Sequence, residues 1–241
     1  MKIIKLLYVS IAFPPKWDSE GLQVAKYFKY LKRNDKLSIS VVTSKNPTLN
    51  MPIDETLKEY SDGYQQLIEI PIFENKYINY AIRNIYPQAL QKPDSKFSFI
   101  WGWKKVVKQL KKSPDIIYSR SFPLSSAIMA LKLKKYYNVP WIFHMSDPWV
   151  DNHIDKRHPE VMAWNKDMEL TCFEEADRVT VTSLETQAFY QKKYPQLSEK
   201  IMVHYNVYDR ETFLANPYKI EGKLTFVCTG GLTVNRSPVP L

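Results

Sequence analysis

The stretch Trp141-Ile142-Phe143-His144-Met145-Ser146-Asp147-Pro148-Trp149 carries an apolar run straight into a histidine and then an aspartate. At the end of a buried strand, His144 can bond a substrate hydroxyl or move a proton near neutral pH. The plain alternative is a structural histidine. Asp147 is of the type that stabilises positive charge developing at a reacting carbon. Asp151, His153 and His158 follow closely. No pair among them has the i, i+4 spacing of a helical zinc site, so no metal centre is expected.

Three further stretches offer chemistry. Asp115-Ile116-Ile117-Tyr118-Ser119-Arg120 places Arg120 at the tip of an apolar run. There it can grip a phosphate or carboxylate through two parallel bonds, or form a surface ion pair. Ser183, with Glu185 two residues on, reads either as a ligand contact or as a helix cap. The loop Ser10–Gly21 follows the first apolar run and precedes a helical pattern, a position where open α/β sheets bind ligands. It holds neither GxGxxG nor GxxxxGK[ST], so with one glycine it is a poor diphosphate cradle.

The elements that must position these residues are legible. Eight short apolar or β-branched runs recur: Ile3–Val9, Leu37–Thr43, Gln66–Ile70, Asp115–Ser119, Pro140–His144, Arg178–Thr182, Ile201–Tyr205 and Lys223–Thr229. Most are near-continuously hydrophobic, as strands covered on both faces are. Helical spacing fills Glu20–Arg33, Ser125–Tyr136, Glu160–Ala176 and Leu184–Tyr194. Alternating strand and helix predicts a doubly wound α/β fold with a mainly parallel sheet and right-handed crossovers. The Tyr-, Asn- and Pro-rich segment Pro47–Asp94 breaks the rhythm and predicts short helices over the sheet edge.

The 241 residues carry a net charge of +9, and six basic residues with no acidic one fall between Lys96 and Lys112. Helical spacing puts Lys104, Lys105, Lys108, Lys111 and Lys112 on one face and Phe99, Trp103, Val106, Val107 and Leu110 on the other. Such a helix packs on the sheet with solvated lysines, and its basic face also suits anionic lipid headgroups. No nucleic-acid motif accompanies the charge. The two cysteines, Cys172 and Cys228, form no CxxC pair, so a reducing cytoplasm is expected. Lys2 and Lys5 before Leu6–Phe13 imitate a signal peptide. Pro14-Pro15 follow at once and no small-x-small site appears, so a buried first strand is expected.

Residues 1–206 are expected to form one domain and 207–222 a linker, with 223–241 opening a second α/β domain. Only 11 residues follow Gly230. A βαβ unit needs about 30, so the chain is expected to stop inside that domain.

Taken together these stretches resemble the N-terminal half of a family 4 (GT-B fold) glycosyltransferase. The resemblance rests on Phe13-Pro14-Pro15…Gly21, Pro93-Asp94-Ser95-Lys96…Trp101, Asp115…Arg120, His144-Met145-Ser146-Asp147-Pro148-Trp149, Ser183 after its strand, and Asn206-Val207-Tyr208-Asp209…Phe213. Phe226 through Arg236 is similar to the strand and glycine turn that open the family's second domain. Ser19 and Glu20 stand where a second glycine is common, and Val207 replaces a linker glycine. Gly231, after Gly230, fills the slot of a pyrophosphate-gripping arginine for which Arg236 is the candidate substitute.

The resemblance implies a retaining, metal-free transfer, with no bound cofactor, from a nucleotide-sugar to a hydroxyl of a saccharide or lipid-linked acceptor in surface polysaccharide synthesis. It places His144 and Asp147 in the cleft as catalytic residues, and Gly21, Arg120, Ser183, Gly230, Gly231 and Arg236 as substrate contacts. It also implies that this piece alone does not turn over, and a peripheral site on the inner membrane face. The alternative is a non-catalytic membrane-surface or scaffolding module with the same fold.

Overall fold

The computed structural model describes residues 2–45, 51–151, 157–211 and 222. Two compact units divide the chain, Met1–Tyr208 and Asp209–Leu241. The second lies almost wholly outside the described residues, as do the expected strand at 223–229 and Gly230, Gly231 and Arg236.

The first unit is built on seven parallel strands: β1 Ile4–Val9, β2 Leu37–Ser44, β3 Gln66–Ile70, β4 Ile116–Ser121, β5 Trp141–Met145, β6 Arg178–Val181 and β7 Ile201–Val203. Their spatial order is β3-β2-β1-β4-β5-β6-β7, and every neighbouring pair is parallel. This is the expected doubly wound α/β fold, with each strand within two residues of its apolar run. Among the described residues six α-helices accompany it: α1 Ser19–Leu31, α2 Lys76–Ile85, α3 Trp103–Gln109, α4 Ser125–Tyr137, α5 Pro159–Glu175 and α6 Leu184–Lys193.

The order reverses between β1 and β4, which opens a crevice at their carboxyl ends. Right-handed crossovers put α1 on one face of the sheet and α3, α4 and α5 on the other. The side chains agree. Phe143 meets Phe173 of α5 at a centroid distance of 6.0 Å, whereas Tyr8 meets Phe28 of α1 at 5.8 Å. Leu7, Val9, Val41, Phe143 and Val179 are fully buried, because both faces of the sheet are covered.

One expectation about helices needs correction. The Lys-rich helix α3 ends at Gln109, so Lys111 and Lys112 lie beyond it rather than on its face. The Lys111 N–H instead donates to Gln66 Oε1 of β3 at 3.1 Å. Segment 47–94 holds short helices, as expected: α2, of 10 residues, and 3-10 turns at Glu55–Tyr60 and Pro87–Gln91.

Candidate active site at the carboxyl rim

Parallel pairing sets Arg120 of β4 beside His144 of β5, and His144 beside Thr180 of β6. Residues paired across a parallel ladder share a face, so these three form one row. The row lies beneath α1. Arg120 Nε donates to Glu20 Oε1 at 2.9 Å, and its guanidinium sits 5.9 Å from the Tyr27 ring centroid. Ser146 Oγ completes the cluster: it donates to Glu20 Oε2 at 2.7 Å and accepts from Arg120 at 3.4 Å.

Arg120 is 1% exposed. The phosphate-gripping and surface ion-pair readings therefore both give way to a buried ion pair. Glu20, the residue standing in place of a second glycine, is the partner. Burial raises the Glu20 carboxyl pKa above its usual value, while Arg120 and Ser146 pull it back down.

His144 has no exposed surface. Its Nδ1 pairs with Thr180 Oγ1 at 2.9 Å, and Nε2 has no hydrogen-bond partner. Tyr118 stacks at 6.3 Å, and His204, just past β7, meets the ring edge to face at 5.7 Å. Burial, then Arg120, then His204 push its pKa well below the ordinary imidazole value, so the ring is neutral. The expectation that His144 directly contacts an acceptor hydroxyl is corrected: it sits one layer under the rim.

Asp147, three residues on, is exposed at the rim. The loop it begins is firmly tied. Trp149 N–H donates to the Tyr190 hydroxyl at 3.2 Å, and its indole N–H to Asn165 Oδ1 at 2.7 Å. Val150 N–H donates to Glu169 at 3.2 Å. Fully buried Glu169 also accepts from Tyr190 at 3.0 Å and from Tyr194 at 2.7 Å, and it pairs with Lys193. An exposed carboxylate on a loop so anchored keeps its position.

Pro148 and Trp149, directly after Asp147 in the chain, line a groove of about 410 Å³ together with Leu90, Pro93, Phe122 and Arg157. Apolar walls with few polar groups suit a small-molecule subsite. Asp94, on the same groove, explains the Pro-Asp pair. Helix α4 has no side-chain cap of its own. Asp94 supplies one from a distance, accepting from Ser125 N–H at 2.8 Å and from Ser125 Oγ at 2.7 Å.

Two expected contacts have structural tasks. Gly21 N–H donates to the N-cap residue Asp18 at 2.6 Å. A Cβ at Gly21 would stand 2.4 Å from the Lys16 carbonyl oxygen, so only glycine fits. Its N–H is thus committed to the cap rather than to a substrate. Ser183 caps α6, accepting from Thr186 N–H at 3.2 Å, as the capping alternative held.

Sequence reasoning missed Lys16. It is 4% exposed, its Nζ donates to Thr43 Oγ1 at 3.1 Å, and burial lowers its pKa to about 8. Glu169 and Tyr190 were missed as well, since nothing local in the sequence separates them from other helical residues. Among the described residues no group of three or more His, Cys, Asp or Glu could hold a metal ion, and no helix is long and apolar enough to cross a membrane.

The chain matches no curated protein. In fold it resembles the Anabaena Alr3699/HepE structure solved with UDP and glucose, at a TM-score of 0.52 and 15% identity, over 89% of this chain and 47% of that one. It also resembles the S. aureus MnaA–UDP structure, at a TM-score of 0.50 and 16% identity, over 84% of this chain and 43% of that one. The chain thus spans about half the length of these structures, and at such identities the likeness is one of fold. The model of Glycosyltransferase Family 4 matches residues 63–212, more than half of the sequence, and the chain belongs to that family.

Proposed function

We propose that this chain is the acceptor-side half of a retaining glycosyltransferase acting at the cytoplasmic face of a membrane. A nucleotide-sugar is the donor, and a saccharide or lipid-linked acceptor in surface polysaccharide synthesis receives the sugar. The observation that carries the reading is exposed Asp147, held on an anchored loop beside a largely apolar groove at the carboxyl rim. Membership of the family supports it, as do two neighbours of similar fold whose structures contain UDP.

In this mechanism the bond from the sugar's anomeric carbon to the donor phosphate breaks as the acceptor oxygen bonds on the same face. The departing phosphate oxygen takes the acceptor's proton, so no metal or separate base is needed. Asp147 stabilises the positive charge that develops on the sugar ring. His144 supports from below, bonded to Thr180 and packed against Tyr118. The donor is held by the second domain, with Gly230, Gly231 and Arg236 as proposed contacts, and this piece alone is inactive. The lysines of α3 face the membrane surface.

The sealed His144 and the self-satisfied Arg120 favour a second reading, a scaffolding module that kept the fold without the chemistry. One experiment separates the two: calorimetry of the full-length protein with nucleotide-sugars, beside a transfer assay. Donor binding with transfer supports the enzyme; neither leaves the scaffold.

A further inference from the structure

Helix α2 is built inside out. Its buried residue is a polar one, Asn79. Arg83, one turn on, lines with Asn79 and Glu74 a cavity of about 420 Å³ beneath the helix. On the other side, Tyr77, Ile78, Ala81 and Ile85 share an outward face. Tyr77 is 74% exposed and Ile85 84%. Helices of a folded domain ordinarily turn such a stripe toward the core.

The apolar surface continues past the helix. Phe73 and Trp101, each 63% exposed, meet at a centroid distance of 6.3 Å, which joins the start of α2 to the start of α3. Around them the charge has one sign. Residues 71–114 hold nine Lys or Arg and two acids, Glu74 and Asp94. Glu74 pairs with Lys96, and Asp94 is spent on Ser125. Lys76, Arg83, Lys104 and Lys108 are exposed. Aromatic and aliphatic side chains flanked by solvated cations are what an anionic bilayer surface selects.

We propose that α2, with Phe73 and Trp101, is a membrane-insertion face that docks on anionic lipid. Its apolar stripe sinks among the acyl chains while the exposed lysines of α3, Lys104 and Lys108, meet the headgroups. This rests on the proposed membrane location and adds the element that inserts. The lysines alone give a contact that salt screens within about 10 Å at 0.1 M, whereas an inserted stripe resists salt.

The test is co-sedimentation of the full-length protein with phosphatidylcholine vesicles, with and without phosphatidylglycerol, at low and high salt. Wild type is compared with Tyr77→Ser/Ile78→Ser/Ile85→Ser and with Lys104→Glu/Lys108→Glu. Insertion predicts that the α2 variant partitions at least ~10-fold more weakly onto anionic vesicles and loses the salt-resistant fraction, with its circular dichroism unchanged. Equal binding by the α2 variant and wild type overturns the insertion. If the lysine variant alone is then impaired, the electrostatic contact still stands. If the α2 variant instead dissociates a wild-type dimer in ultracentrifugation, the stripe belongs to a second copy, which also overturns the proposal. So does an Ile85→Cys thiol that is shielded from maleimide before any vesicle is added, since protein then covers the face.

Discussion

Arg120 of β4 and Glu20 of α1 form a buried ion pair at the point where the sheet reverses its strand order, Nε to Oε1 at 2.9 Å. The pair fills from within the crevice that such folds commonly offer to ligands.

Removing one partner leaves a buried charge alone. Arg120→Met is expected to cost ~3–5 kcal/mol of folding stability. The double change Glu20→Leu/Arg120→Met should recover much of that loss. Urea unfolding of the four forms measures the coupling, and strictly additive losses would show that the pair does not act as a unit.

His144 predicts a pH dependence. Its pKa in the fold lies well below the ordinary value near 6.5, so below that pH the unfolded chain binds a proton that the folded chain refuses. Stability is unpenalised above about pH 6.5 and falls as the solution is acidified, by up to ~1.4 kcal/mol per pH unit from this ring. His204 adds to the fall in the same direction. His144→Asn should flatten the profile by the share of one proton. Parallel profiles for wild type and variant would contradict it.

Lys16 acts at the other end of the scale. With a folded pKa of about 8, it binds fewer protons than the unfolded chain between there and the ordinary lysine value of about 10.4. Stability therefore rises as pH climbs from about 8 toward 10 and is lowest, as far as this group is concerned, below 8. Lys16→Met is expected to stabilise the fold by roughly 1–3 kcal/mol at pH 7 and to abolish that rise. A melting-temperature series across pH reads both effects.

The strands were legible because both faces of the sheet are covered, so each appears as an apolar run that needs no tertiary knowledge to find. Helix α2 was not legible as a tertiary element: its apolar stripe faces solvent and its neighbourhood is rich in turn residues. Position near the carboxyl ends of strands was also readable. Arg120, His144 and Asp147 were all placed near strand ends, and all three lie there. What each side chain does depends on partners remote in sequence. Glu20 comes 100 positions before Arg120. His204 closes on His144 from beyond β7, and the Glu169 cluster reaches the loop from α5 and α6. No local spacing encodes those meetings, so Arg120 read as a ligand contact and His144 as a proton carrier.

The most direct measurement is the transfer rate of full-length Asp147→Asn, which keeps the size of the side chain and removes its charge. Asp147 at the sugar's reacting face predicts a kcat lowered ~100-fold or more, with donor affinity and melting temperature unchanged. A variant that transfers sugar at the wild-type rate would contradict the assignment of this rim as the catalytic wall.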